Sequence, residues 1–385
     1  MSRCADDVLT VTAQLEQMVA LLQLELSAGN NNAETRILDT ILSDSDNILA
    51  QVVGWSKCLA PGHVAPVLTL SLSLCEVLVS CRQAGQSVLS HSRIVTPLLS
   101  LLDTVHSLNG AQPASPGLQT ALLGLVHSLC VLLTESPSLL SLFTSDPGSI
   151  AAPRFLLFSL LTPFLHKSSP EGQLARDSLL LCISLSAKHD IVQTYIAEHS
   201  NFTTILATGL SGLYSSLPRT LDTDNPCWHR LDPETDTQDI PGLGDLVTSL
   251  ELCSAVLQAA SAQISSQLLE LIHQGFLVPV LGPALASQDS DPEQVVAATV
   301  YTDLFIRVIT APALLATLVR FLLTASVDNK LISEVLVQRI SCNGKVCVVT
   351  MQLFETLLSL NIEDVMLGLV FRHLVNCNFL LPSFR

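Results

Sequence analysis

The chain has 385 residues, 49% of them hydrophobic, 14% charged and 4% aromatic, with a formal charge of −16. So little charge on so long a chain requires most helix surface to be buried. The acidic balance excludes a phosphate-backbone binder, which needs clustered Lys and Arg, and disfavours direct attraction to anionic lipid, while a basic partner surface would be steered toward it. Eleven cysteines are scattered through apolar patterns, as at Cys75, Cys130, Cys182 and Cys253. They read as reduced, buried thiols of a cytosolic protein. The opening MSRCADDVLT lacks the apolar run of a signal peptide. Without secretion, the Asn201-Phe202-Thr203 sequon is a coincidence.

Helical periodicity runs almost from end to end. Val8, Leu15, Met18, Val19, Leu22 and Leu26 form the first stripe. Leu118, Leu122, Leu125, Val126, Cys130 and Leu133 form another, with Gln119, Thr120, His127 and Ser128 toward the other side. The pattern returns at Leu174, Ser178, Leu181, Cys182 and Leu185, at Phe202, Ile205, Leu206, Leu210 and Leu213, and at Leu246, Leu250, Cys253 and Leu257. KVCVVTM, Lys345 to Met351, is β-branched but flows into QLFETLLSL and reads as a helix start.

Short breaks carry turn chemistry: AGNNN at 28–32, LAPGH at 59–63, NGAQPASPG at 109–117, SDPGS at 145–149 and KSSPEGQ at 167–173. Together these features predict an all-α protein, an irregular α-solenoid of stacked helix pairs of the HEAT/armadillo kind. It would form a single domain over 1–385 of about 40 residues per unit. One segment, 218–244, carries Asp222, Asp224, Asp232, Glu234, Asp236 and Asp239, with three more prolines after Pro218. It is expected to be a mobile acidic loop. The last helix, IEDVMLGLVFRHLVNCNFLL, is apolar on most sides, whereas a terminal unit should present a polar outer face. The natural protein is therefore expected to continue past 385.

A mean hydropathy of +0.49 raises a membrane alternative. The segment 104–134 holds no Lys, Arg, Asp or Glu and is the best spanning candidate. Its two-faced pattern favours burial in protein.

The densest set of chemical side chains lies in ARDSLLLCISLSAKHDIVQTYIAEHSNF, Ala175 to Phe202. Ile191, Val192, Tyr195 and Ile196 make an inward stripe there, Asp190 stands where it can cap a helix, and His199 lies at the stripe's edge. His189 and His199 are ten apart and Cys182 lies on the preceding helix, so zinc spacing is absent and a helix seam is expected. Cys227-Trp228-His229 reads as a loop with a buried tryptophan anchor. The rival is a metal-dependent hydrolase using Cys227, His229 and the loop carboxylates. Cys342 and Cys347 lack a second pair for zinc. GLSGLYSS, Gly209 to Ser216, is not a nucleophile elbow, and NGKVC is not a phosphate loop. Ser115, Ser136 and Ser169 each precede a proline and offer phosphorylation points. No catalytic constellation, metal site or cofactor is expected.

The words themselves add more. GQLARDSLLLCISLS, TYIAEHSNF, ILATGLSGLYSSLP, IHQGFLVPVLGPAL, APALLATLVRFLL and LNIEDVMLGLVFRHLVNCN, in this order over about 150–378, resemble the FTS- and Hook-interacting protein (FHIP) family. Residues 1–150 are similar more weakly, mainly in ILDTILSDSDNILAQVVGW, and the ending FLLPSFR departs from the family. The resemblance implies a helical scaffold rather than an enzyme. Such a scaffold would join Hook proteins to FTS, a ubiquitin-conjugating-enzyme-like protein, and couple early endosomes carrying a Rab GTPase to dynein. The chain would be cytoplasmic and peripheral, reaching the membrane through partners. Exposed polar residues on the matching blocks are the expected contacts: Arg176, Asp177, His189, Glu198, His199 and Tyr214. Glu363 and Asp364 are expected only to favour a helix N-terminus.

Overall fold

The structure, a computed structural model, describes residues 2–27, 47–59, 61–80, 82–83, 86–87, 89, 91–111, 115–144, 154–222, 228–286 and 291–372. It is all-α. Among the described residues, strands occur only as two hairpins, β1 (Arg82–Gln83) with β2 (Gln86–Ser87) and β3 (Ser326–Val327) with β4 (Lys330–Leu331). The chain forms two compact units, residues 1–185 and 186–385.

The first unit runs α1 (Ser2–Ser27), α2 (Ile48–Ser56), α3 (Pro61–Ser80), α4 (Ser92–Ala111), α5 (Pro116–Glu135), α6 (Leu140–Phe143), α7 (Leu156–Leu161) and α8 (Pro170–Ser186). Val8, Leu15 and Leu22 recur every seven residues and are the buried line of α1, which packs on α3. Because α3 is flanked by α1 and α5, it is apolar on more than one side: Val67, Leu68, Leu72 and Leu78 are all fully buried. Each such side chain contributes roughly 1.5–3 kcal/mol of transfer free energy, largely offset by ordering entropy. Asn47 takes a left-handed conformation before α2, accepts a hydrogen bond from the Ala50 amide at 3.3 Å, and donates one to the Arg93 carbonyl at 2.9 Å. That one side chain both starts α2 and ties it to α4.

The stripe predicted for 118–133 is the buried face of α5, and Gln119, Thr120, His127 and Ser128 lie at or near its surface. The segment 104–134 is not one span: α4 ends at Ala111 and α5 begins at Pro116, a residue suited to a first helical turn. By length and composition, Pro116–Glu135 could still cross a membrane, as could His63–Ser80 and Ala262–Ala286. Half of the Pro116–Glu135 window is buried inside protein here. The predicted breaks at 28–32 and 145–149 lie outside the described residues.

The second unit runs α9 (Asp190–Thr194), α10 (Phe202–Ser216), α11 (Asp236–Asp239), α12 (Leu243–Ala259), α13 (Ala262–Ile272), α14 (Gly282–Ala286), α15 (Pro292–Val308), α16 (Pro312–Thr324), α17 (Ile332–Ile340), α18 (Lys345–Ser359) and α19 (Glu363–Met366). Wide π turns extend α9, α13 and α19. One row of contacts passes from α12 to α15 to α18 and another from α13 to α16 to α17, the stacked-pair pattern of a helical repeat. α15 is the centre of the unit. Ala297, Ala298, Thr299 and Thr302 are small enough for neighbours to close around it, and all four are buried. Lys345 begins α18, as the sequence predicts, and Glu363 and Asp364 form the first turn of α19. Residues 373–385 lie outside the described residues.

Candidate functional site

The stretch that opens at Ala175 is a packing seam where α8 meets α5. On α8, Ser178 and Cys182 stand one turn apart and face α5. The Ser178 hydroxyl lies 3.0 Å from His127 Nδ1, and the Cys182 sulfur 3.4 Å from that of Cys130. The hydrogen bond shared with Cys182, together with burial, pushes the Cys130 thiol well above its ordinary range. Burial pushes Cys75 and Cys253 up to about 12, against a smaller lowering by a backbone hydrogen bond at Cys253. These are unreactive thiols. Among the described residues, no three His, Cys, Asp or Glu side chains are grouped to hold a metal ion. Trp228 and His229 lie with ring centroids 5.8 Å apart, half-buried, and Cys227 and Asp224 lie outside the described residues.

The six expected contact residues part company. Asp177, Glu198 and His199 are exposed, and His189 is half-exposed. Arg176 is half-buried and braces the entry to α8, donating to the carbonyls of Lys167 at 2.8 Å and Leu165 at 3.3 Å and to Gln173 Oε1 at 3.0 Å. Gly172 belongs to the same close approach: a Cβ there would stand 2.0 Å from the Lys167 carbonyl oxygen. Tyr214 is half-buried and joins an aromatic cluster, with centroids 5.3 Å from Phe276, 5.9 Å from Phe305 and 6.3 Å from Tyr301. Burial raises its phenol above the ordinary range and raises that of Tyr301 to about 12. Full exposure is therefore found for Asp177, Glu198 and His199 and not for Arg176, His189 and Tyr214. The sequence carried a signal for Tyr214, since it follows Phe202, Leu206 and Leu210 at four-residue steps, on the buried face.

Two smaller expectations are also corrected. His189, not Asp190, occupies the cap position of α9 and makes no side-chain cap bond. Asp190 sits in the first turn, where its charge suits the helix dipole. Ile191, expected in the inward stripe, is 43% exposed, while Val192, Tyr195 and Ile196 are buried. The Ser-Pro pairs at 115, 136 and 169 all mark helix starts. The Ser169 hydroxyl accepts from the Gly172 amide at 3.4 Å.

The periodicity reading passed over a buried polar centre. Asp303 lies in α15, buried, with its carboxylate held by Arg307 Nε at 3.0 Å and by the Thr356 hydroxyl of α18 at 2.5 Å. Arg307 reaches on to the Leu231 carbonyl at 2.6 Å, and the Tyr301 hydroxyl donates to the Pro218 carbonyl at 2.9 Å. Two carbonyls of the acidic segment are thus pinned to α15. Within the segment, Asp232 and Asp236 bond their own local backbone and Thr235, building the short α11. The visible signal was VYTDLFIRV, an acid and an arginine four apart in an apolar run.

The family model described as "RAI16-like: Retinoic acid induced 16-like protein" matches residues 41–374. Human FHF complex subunit HOOK-interacting protein 1B is 47% identical over 384 residues, covering 98% of this chain and 38% of its own length. The chain belongs to the FHIP family. The Danio rerio protein of the same name is 40% identical over 387 residues, covering 99% of this FHIP chain and 33% of its own length. An FHIP family protein of Culex quinquefasciatus is 39% identical over 394 residues, with 99% and 38% covered. This FHIP chain therefore spans less than half the length of these relatives.

Proposed function

We propose that this chain is a scaffold subunit of an FHF complex that binds a Hook protein. In this reading it acts without catalysis, joins Hook to FTS, and couples early endosomes bearing a Rab GTPase to dynein-driven transport. The observation that carries it is the 47% identity over 384 residues to a protein named as a HOOK-interacting subunit of that complex. The all-α stacked-pair fold supports it, because such an array offers long faces to several partners, each interface needing roughly 800 Å² per side. Asp177, Glu198, His199 and the half-exposed His189 are the proposed partner contacts. Arg176 and Tyr214 would act by holding α8 and α10 in shape. The charge of −16 favours basic patches on the partner. The chain would be cytoplasmic and reach endosomes peripherally, through its partners.

The test is co-precipitation of the purified, monodisperse chain with Hook and FTS together. Retention of Hook is expected. A folded chain that retains neither overturns the reading for this chain. Because three helices among the described residues are, by length and composition, apolar enough to cross a membrane, carbonate extraction belongs beside it. Release is expected, and retention in the pellet favours the membrane-inserted reading.

A further inference from the structure

We propose that a cavity of about 350 Å³ in the second unit is a docking pocket for a short acidic peptide. The peptide would insert one apolar side chain and give the carboxylate of the next residue to Arg219. Nothing in the Hook reading requires this pocket, and the two stand or fall separately.

The pocket lies where the π turn His273–Leu281, interrupted by Pro279, passes into α14, with Val280 and Pro283 lining it. The opposite wall is Ala298 and Tyr301 of α15, and the end of α10 closes it with Tyr214 and Leu217. The aromatic cluster behind Tyr214 makes this wall rigid. Its volume is at the small end of the roughly 300–1,000 Å³ range of ligand sites, room for a side chain and its backbone rather than for a dinucleotide.

The polar groups around the pocket point to the ligand's chemistry. The Tyr301 hydroxyl is spent on the Pro218 carbonyl. Tyr214, Arg219 and Gln294 all line the cavity, and among the described residues none of their side-chain polar groups makes a hydrogen bond or ion pair. Two of these three are strong donors, and one carries a full positive charge in a chain of net charge −16. Of the nearby carboxylates, Glu293 is taken by Lys345 at 3.1 Å and Asp291 bonds the Glu293 amide at 3.2 Å. Asp222, exposed and three residues past Arg219, already has an interaction of its own. An apolar wall with unspent donors at its rim fits an apolar residue followed by an acid.

The experiment uses the whole chain with ¹³C-labelled alanine methyls and two probes, N-acetyl-Leu-Asp-amide and N-acetyl-Leu-Asn-amide. Saturable shifts are expected at Ala284, Ala297 and Ala298 with the aspartyl probe. Affinity should fall about tenfold with the asparaginyl probe or in Arg219→Gln, the loss expected for one charge-assisted hydrogen bond. Ala284→Trp should fill the cavity and abolish the shifts while the remaining alanine signals keep their positions. No saturable shift at these methyls, equal affinity for the two probes, or binding that survives both variants would overturn the proposal. Arg219→Gln is a surface change, so it keeps the test informative if Ala284→Trp fails to fold.

Discussion

Asp303 is the residue on which most of the buried polar chemistry of the second unit turns. A carboxylate is costly to bury, and it survives in α15 because Arg307 and Thr356 answer both of its oxygens. Asp303→Ala would leave Arg307, only 20% exposed, without its charge partner. A loss of about 3 kcal/mol is expected in urea unfolding, within the usual cost of removing one member of a buried pair. Hydrogen exchange should also quicken at 228–232, where Arg307 holds the Leu231 carbonyl. An Asp303→Ala chain as stable as the parent would show that the pair carries no net weight. Arg176 and Asp177 make a second contrast, adjacent in sequence and opposite in role. Arg176→Ala should cost about 1–3 kcal/mol, the value of charged hydrogen bonds, and Asp177→Ala less than about 0.5 kcal/mol. The sequence could mark both residues as polar and on a helix. It could not show that the guanidinium turns back onto the carbonyls of Leu165 and Lys167, because that depends on how the preceding loop closes over Gly172.

At the scale of the element, the α5–α8 seam was legible as apolar periodicity and illegible as a pairing. Each helix announced an inward face, but nothing in either announced that His127 would meet Ser178 and Cys130 would meet Cys182. The consequence is a division of the thiols. Cys58 and Cys342 are exposed, whereas Cys75, Cys130, Cys182 and Cys253 are buried. Under iodoacetamide at mildly alkaline pH, peptide mass spectrometry should find the first two alkylated in the native chain and the other four protected until denaturant is added. Native-state alkylation of Cys130 or Cys182 at the rate of Cys58 would mean that the seam opens. The turns divide the same way. Asn47 and the Ser-Pro pairs carry their own local signal, since caps act within one turn. The π turns after α9 and α13 carry none that we recognise in the sequence.

At the scale of the whole molecule, stability depends on carboxylates that the fold treats unequally. Burial raises the Glu76 carboxyl above its ordinary 4.5, a rise partly opposed by the attraction of His127. The folded chain therefore keeps this proton to a higher pH than the unfolded chain does. The contribution of Glu76 is most favourable at low pH and is lost as pH climbs from 4.5 through the raised value. Glu76→Gln cannot titrate, so its melting temperature relative to the parent should rise across that window and stay level above it. A difference that is constant with pH would show that Glu76 ionises as it does in the unfolded chain. The sequence by itself determined that this protein is all-α, that its helices bury most of their surface, and where most of them start and stop. Those properties follow from the periodicity of apolar residues and from caps, which act over one or two turns. Only the tertiary structure decided that Tyr214 packs into an aromatic cluster, that Arg176 is a brace, and that Tyr214, Arg219 and Gln294 share one pocket. Each of those depends on which distant helix arrives beside which side chain, and the spacing of residues along one helix does not encode its neighbour.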